Sequence, residues 1–296
     1  MIKLNIIKTQ KIWFIFSGTI VAASLLSVLL WGLNFGIDFK GGSLIDLTFV
    51  QPPATEDLRG FVASAGYDDA RVQPSKDGEF LIRTLELNED QHQALLAGMK
   101  EKFGELTENK FDFVGAVIGK ELATKAKFAV AATLALILIY ITWAFRKVAD
   151  PVKSWKYGVI TILTAFHDII VPIGVFSVLG HFFGFQVDSA FIAAILTILG
   201  YSINDTIVVF DRTRENLQDW STSESFEQVV NRSLNQTVVR SINTTVTVLL
   251  ALVAVLFFGG ETTRQFALAL TIGVATGAYS SIFIASPLLV VWEKRG

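Results

Sequence analysis

At 296 residues, with 52% hydrophobic and 18% charged residues and a mean hydropathy of +0.51, the chain is too apolar for a disordered segment or an ordinary soluble globule. A net charge of -2 without a basic run argues against nucleic acid as a partner. No cysteine is present, which removes disulfides, thiolate metal sites and cysteine nucleophiles, and His92, His167 and His181 are scattered without HExxH spacing, so no metal or other cofactor is expected.

Residues 1–11 carry Lys3, Lys8 and Lys11 and precede an uncharged apolar run over 12–33. The run is longer than the apolar part of a signal peptide and no small-x-small cleavage site follows, so it reads as an uncleaved membrane helix. Trp13 and Trp31 stand near its ends, where interfacial aromatics are expected. The segment Asn34 to Ser43 follows, with Gly36, Asp38, Gly41 and Gly42. Its spacing is loosely that of a P-loop, but glycine stands where the lysine belongs, so nucleotide binding is rejected and a linker to the next domain is expected.

From 34 to 124 the composition turns polar. Strands are predicted at 44–50, 70–73, 79–84 and 110–117, with helices at 55–65 and 88–103, the second capped by Asn88. Pro74 to Gly78 reads as the turn between the middle strands. The order βαββαβ predicts a ferredoxin-like α+β domain, with no catalytic constellation in it. A rigid contact module rather than an enzyme is expected there.

Five more apolar runs lie at 128–145, 157–179, 189–210, 241–258 and 266–291. With the first they predict an α-helical polytopic membrane protein of six spans, five of them in the region 125–291. Each is about long enough to cross a bilayer, which takes roughly 20 residues. Arg146, Lys147, Lys153 and Lys156 follow the second span, and Arg212, Arg214 and Arg232 follow the fourth. The positive-inside rule then puts both termini, including 292–296, in the cytoplasm and the soluble domain outside. Within 211–240, Ser221-x-x-Glu224 has capping-box spacing, and Phe226, Val229, Val230 and Leu234 share a helical face. An amphipathic helix lying on the membrane lipid is expected there.

Two acids fall inside spans, Asp168 and Asp205. A charged group at mid-bilayer costs roughly 2.5–3.5 kcal/mol on insertion scales, so it needs a partner, a cavity or a function. Asp205 is flanked by Asn204 and Thr206, and Tyr201 and Ser202 precede it by one turn on its own helix face. Arg240 enters the fifth span ahead of Asn243 and Thr244 and is the expected ion-pair partner of Asp205. Two readings stand: Asp205 only ties helices together by hydrogen bonds, or it is a protonatable group on a proton path. For His167-Asp168, a structural hydrogen-bonding role and a functional one are both open.

Four motifs in order carry a resemblance across the whole chain: Gly36 to Gly42, His167-Asp168, Gly200 to Asn216, and Asn235 to Ser241. Together they resemble the SecF family, the smaller component of bacterial SecDF membrane proteins. Val114 to Leu122 resembles a further family stretch, except that Ala116 stands where proline is usual. The resemblance implies half of a pseudo-symmetric unit of the resistance-nodulation-division type, paired with SecD in the bacterial cytoplasmic (inner) membrane. It implies association with the SecYEG channel and with a translocating unfolded polypeptide, after the SecA ATPase has driven early steps. H⁺ would be the coupling ion, Asp205 the proton carrier, Arg240 its charged partner, and Gly36 to Gly42 the link to the outer domain. A proton-coupled exporter of lipids or small molecules and a passive scaffold for the channel are the competing readings.

Overall fold

The computed structural model describes residues 5–68, 70–75, 78–146, 152–218 and 224–294. Lys3, Lys76, Asp77, Lys147 and Ser221, used above, lie outside them. The chain divides into two units, Phe35–Lys127 and the remainder, Met1–Asn34 with Phe128–Gly296.

In the first of these, one helical turn, α2 (Ile37–Lys40), leads into strand β1 (Gly42–Phe49). Helix α3 (Thr55–Ser64), strands β2 (Arg71–Pro74) and β3 (Glu79–Thr84), helix α4 (Glu89–Phe103) and strand β4 (Leu106–Val114) follow. The sheet order is β2-β3-β1-β4, antiparallel at every pairing, which is the split βαβ arrangement expected. Ile45, Leu47 and Phe49 alternate inward on β1 and meet Leu58, Val62, Leu95 and Met99 from the two helices. Asn88 caps α4 with Gln91 closing the box, as its spacing predicts.

Strand β4 begins four residues earlier than predicted. It is an edge strand, so polar Thr107, Glu108 and Asn109 can alternate without burial. It also ends earlier, because Ala116 starts the long helix α5 (Ala116–Ala144). The backbone N–H of Ala116 donates to Glu86 Oε1 at 2.5 Å, a bond that a proline at this position could not make. Gly41 and Gly42 have φ of +80° and +132°, and a Cβ on Gly41 would stand 2.7 Å from the Ala116 Cα. The glycine pair is therefore demanded both by backbone conformation and by close approach.

Six helices in the whole chain are long and apolar enough to cross a membrane. In the second unit they are α1 (Gln10–Trp31), preceded by a 3₁₀ turn at Ile7–Thr9, the end of α5, α6 (Ser154–Phe183), α7 (Ser189–Gln218), α8 (Phe226–Phe258) and a last rod. That rod comprises α9 (Glu261–Ser280), a five-residue π-helical turn (Ser281–Ala285) and α10 (Ser286–Lys294). Helices α6, α7 and the last rod form the buried centre, while α1, α5 and α8 present most of their apolar surface outward.

Small residues set the crossings, as packing in an apolar solvent requires. Gly273 and Gly277, four apart on α9, lie against Ile198 and Ser202 of α7. Gly174 of α6 lies against Ser24 of α1, whose neighbour Ser27 donates to the Gly174 carbonyl at 3.0 Å. Ser177 of α6 donates back to the Ser27 carbonyl at 2.9 Å. The buried face of α1 is thus a line of serines, Ser17, Ser24 and Ser27, rather than an apolar stripe.

The segment expected to form a separate surface helix is instead the beginning of the 33-residue α8. No proline or glycine interrupts 226–258, so one helix runs through. The start of α8 is capped by Ser225 and Gln228 rather than by the residues predicted. Its apolar face, Val230, Leu234 and Val238, is covered by Ile6, Ile7, Val209, Ile282 and Val290, not left for lipid.

Candidate functional site

Helix α7 carries the site. Its apolar and small residues, Ala194, Ile198 and Ser202, pack toward α6 and α9, and one turn later Asp205 turns toward α8. Asp205 lies sixteen residues into α7, roughly 24 Å from its start at 1.5 Å per residue, within the apolar run 189–210 and nearer its second end. It is 4% exposed, and its Oδ2 has no hydrogen-bond partner. Ser241, Thr245 and the Arg240 guanidinium of α8 are the groups that act on the carboxylate from across the helix pair. The Ser241 and Thr245 hydroxyls are buried too and make no close hydrogen bond, although both act on the Asp205 carboxylate. The carboxylate and the two hydroxyls form a buried polar cluster between α7 and α8.

The expected ion pair is not formed: no Arg240 nitrogen comes within 4.0 Å of an Asp205 oxygen. The reason is helical phase. Helix α8 meets its neighbours along Thr237, Val238, Ser241 and Thr245, and Arg240 stands one position off that seam, exposed. Asn243 and Thr244 are exposed beside it, and Asn204 is exposed on α7. The Thr244 hydroxyl donates to the Arg240 carbonyl at 3.0 Å within its own helix. Tyr201 is partly buried, with a hydroxyl that has no partner.

Ser202 and Thr206, predicted to support Asp205, serve other residues. Ser202 donates a short hydrogen bond to Asp168 Oδ2, which also accepts from Ser280 at 2.8 Å. Asp168 Oδ1 lies 2.9 Å from His167 Nδ1, and His167 Nε2 lies 3.1 Å from the Tyr279 hydroxyl. Tyr279 is in turn joined by a short hydrogen bond to Ser17 of α1. Thr206 and Ser281 share a hydrogen bond of 2.8 Å, and Ser281 also donates to the Ser202 carbonyl at 3.2 Å. Asp168 is fully buried.

Tyr279, Ser280, Ser281, Ser17 and Thr245 were not singled out in the sequence. The signal available was the polar run Tyr279-Ser280-Ser281 in an otherwise apolar span. At the far end of α7, Asn216 donates to Ser233 and to Gln236 of α8, both at 2.8 Å, and Arg212 donates to Gln236 at 2.7 Å. Arg232 reaches Glu224 at 2.9 Å and Asn216 at 3.4 Å. These bonds clamp α7 to α8 beyond the apolar part of both helices. Among the described residues no group of three or more His, Cys, Asp or Glu is placed to hold a metal ion.

Two family models match the chain. Protein export membrane protein SecD/SecF, C-terminal, covers residues 94–295, and the SecD/SecF GG motif covers residues 32–53, which include Gly41 and Gly42. The chain is 40% identical over 304 residues to the protein translocase subunit SecF of Thermobaculum terrenum, covering 99% of this chain and 95% of that one. It is 36% identical to SecF of Haemophilus influenzae, covering 94% of this chain and 82% of that one. The crystal structure of SecDF from Thermus thermophilus, a translocon-associated membrane protein, superposes with a TM-score of 0.88 at 35% identity over 99% of this chain. A second SecDF crystal structure, in the super-membrane-facing form, superposes with a TM-score of 0.71 at 34% identity. The chain spans 39% of the length of each of these SecDF chains. A glycine-pair motif before the sheet, six apolar helices and near full-length identity of this order have one explanation: the chain belongs to the SecF family of protein translocase subunits.

Proposed function

We propose that the chain is a proton-motive-force-driven accessory subunit of the Sec translocase. It acts with a SecD subunit to promote export of unfolded proteins through SecYEG. It sits in the bacterial cytoplasmic membrane with both termini inside and the unit 35–127 outside, where the charge of its loops puts them. The observation that carries this reading is Asp205: a buried carboxylate within the apolar part of α7, with no close hydrogen bond on Oδ2, beside two α8 hydroxyls that act on it. Asp168, in contrast, has hydrogen bonds on both oxygens. An acid left under-satisfied in one state can gain a partner when a proton arrives or leaves.

The same region supports a SecD partner. Arg240, Asn243 and Thr244 are exposed where α8 enters its apolar part. Lipid does not tolerate a cation there, so that face is covered by protein or opens onto a polar cavity shared with it. Protonation of Asp205 changes what Arg240 sees across the seam, and one charge moved through the field is worth about 2.3 kcal/mol per 100 mV. That is enough to bias two helix arrangements differing by a few kcal/mol.

The test is Asp205→Asn in the full SecD-containing complex, reconstituted with the channel. The part of export that depends on a proton gradient should be lost, while the ATP-driven part remains. Unchanged gradient-dependent export would leave only a scaffold role.

A further inference from the structure

We infer that Asp168, with His167 as its partner, is a second proton-binding site in the helix core, separate from Asp205. Its proton sets the junction of α6, α7 and the last rod. The inference rests on the reading of the family's work as proton-coupled only for its purpose. The site itself is argued from geometry.

Asp168 lies fourteen residues into α6, roughly 22 Å from the end at Phe183. Helices α6 and α7 run antiparallel, and the bond from Ser202 puts Asp168 within about one turn of the level of Asp205. No Lys or Arg takes part in its hydrogen bonds. Its partners are His167, Ser202 and Ser280. The titratable groups on the elements packed around it are His167 on α6, Tyr279 on α9, and Asp205 and Tyr201 on α7. Helix α1 contributes the Ser17 hydroxyl and the π-helical turn contributes Ser281. Glu293 of α10 is taken by Lys156 at 3.0 Å, at the beginning of α6.

A neutral imidazole donates from one nitrogen and accepts at the other. With Asp168 ionised, His167 donates from Nδ1, and Nε2 accepts from Tyr279. A proton arriving on the pair makes the Asp168 carboxylic acid, which donates from Oδ1 to His167 Nδ1. The imidazole then carries its own proton on Nε2 and donates from there, which turns the Tyr279 hydroxyl round toward Ser17. The proton therefore rewrites hydrogen bonds on α6, α9 and α1 together.

Both helices are irregular at this level. Pro172 has no N–H, so the Asp168 carbonyl lacks its usual donor four residues on. Directly after Ser280, the last rod passes through a π-helical turn at Ser281–Ala285, and the Ser286 hydroxyl donates to the Ser281 carbonyl at 3.2 Å. Such turns are rare and occur most often at functional sites. A titrating pair held between a proline-interrupted helix and a π-helical turn can trade its proton for a small helix movement at little cost in ladder bonds.

The experiment uses the full chain co-purified with its SecD subunit in lipid vesicles, read by infrared difference spectra between acid and alkaline pH. The expected result is a protonated-carboxyl C=O band that grows toward acid pH and fades toward alkaline pH. It disappears in Asp168→Asn, persists in Asp205→Asn, and moves its midpoint by about one pH unit in His167→Gln. If Asp168→Asn fails to assemble, Ser280→Ala replaces it, because loss of one hydrogen bond to Oδ2 shifts the frequency of the Asp168 band and of no other. An Asp168-dependent band missing at every pH, constant at every pH, or identical in His167→Gln overturns the inference. The spectrum is read without export, so this outcome is distinct from failure of Asp205→Asn to change gradient-dependent export.

Discussion

Asp168 and Asp205 stand within about one turn of the same level on antiparallel neighbours α6 and α7, and their surroundings are opposite. The carboxylate of Asp168 accepts from Ser202 and Ser280 and meets His167 at 2.9 Å. The carboxylate of Asp205 keeps an oxygen without a close hydrogen bond. Ser202 links the two, since it bonds to Asp168 from a position three residues before Asp205 on α7. Movement of α7 against α9 therefore reaches both acids.

That movement is limited by Gly277, where an added Cβ would stand 2.8 Å from the Ser202 Cβ. Gly277→Val should push α9 from α7 and pull Ser202 off Asp168, at a cost of about 1–3 kcal/mol. A lowered thermal midpoint of the purified complex checks this. The milder change at Gly200, where a Cβ meets nothing within 4 Å, should leave the midpoint within error when replaced by alanine.

At the glycine pair, Gly41→Ala meets both a φ of +80° and the Ala116 backbone at 2.7 Å. A loss of about 1–3 kcal/mol is expected, read as faster proteolysis within 35–127 of the intact protein. Gly104→Ala is the control for conformation alone, with φ of +86° and nothing within 4 Å, and should cost less.

Asn216 tests the clamp between α7 and α8. Asn216→Leu removes donors to Ser233 and Gln236 and leaves the Ser233 hydroxyl with only its own helix, bonded to the Val229 carbonyl at 2.8 Å. About 1–3 kcal/mol should be lost, with hydrogen exchange rising at 209–218 and 226–236 and unchanged in the sheet.

Much of this was legible because charge in an apolar run is costly. Asp168 and Asp205 stood out on that ground, and alternation of period two set the sheet strands. Arg240 acts on Asp205 without closing an ion pair, because its offset from the α7–α8 seam depends on helical phase, which boundaries read from sequence do not resolve. Tyr279, Ser280 and Ser281 leave little signal in the sequence, because hydroxyls in a span cost little and those of Ser280 and Ser281 bond to the preceding turn. The serine line of α1 was hidden for the same reason. The start of α8 looked like a surface helix because an apolar stripe does not say whether lipid or protein will cover it.

The central claim is that Asp205 carries protons while the complex exports. The most direct test is proton entry into vesicles holding the full complex and channel, followed by an internal pH dye during export. Wild type should show entry that starts with export, Asp205→Glu should retain part of it, and Asp205→Asn should show none above the lipid leak. Proton entry in Asp205→Asn at the wild-type rate would contradict the account.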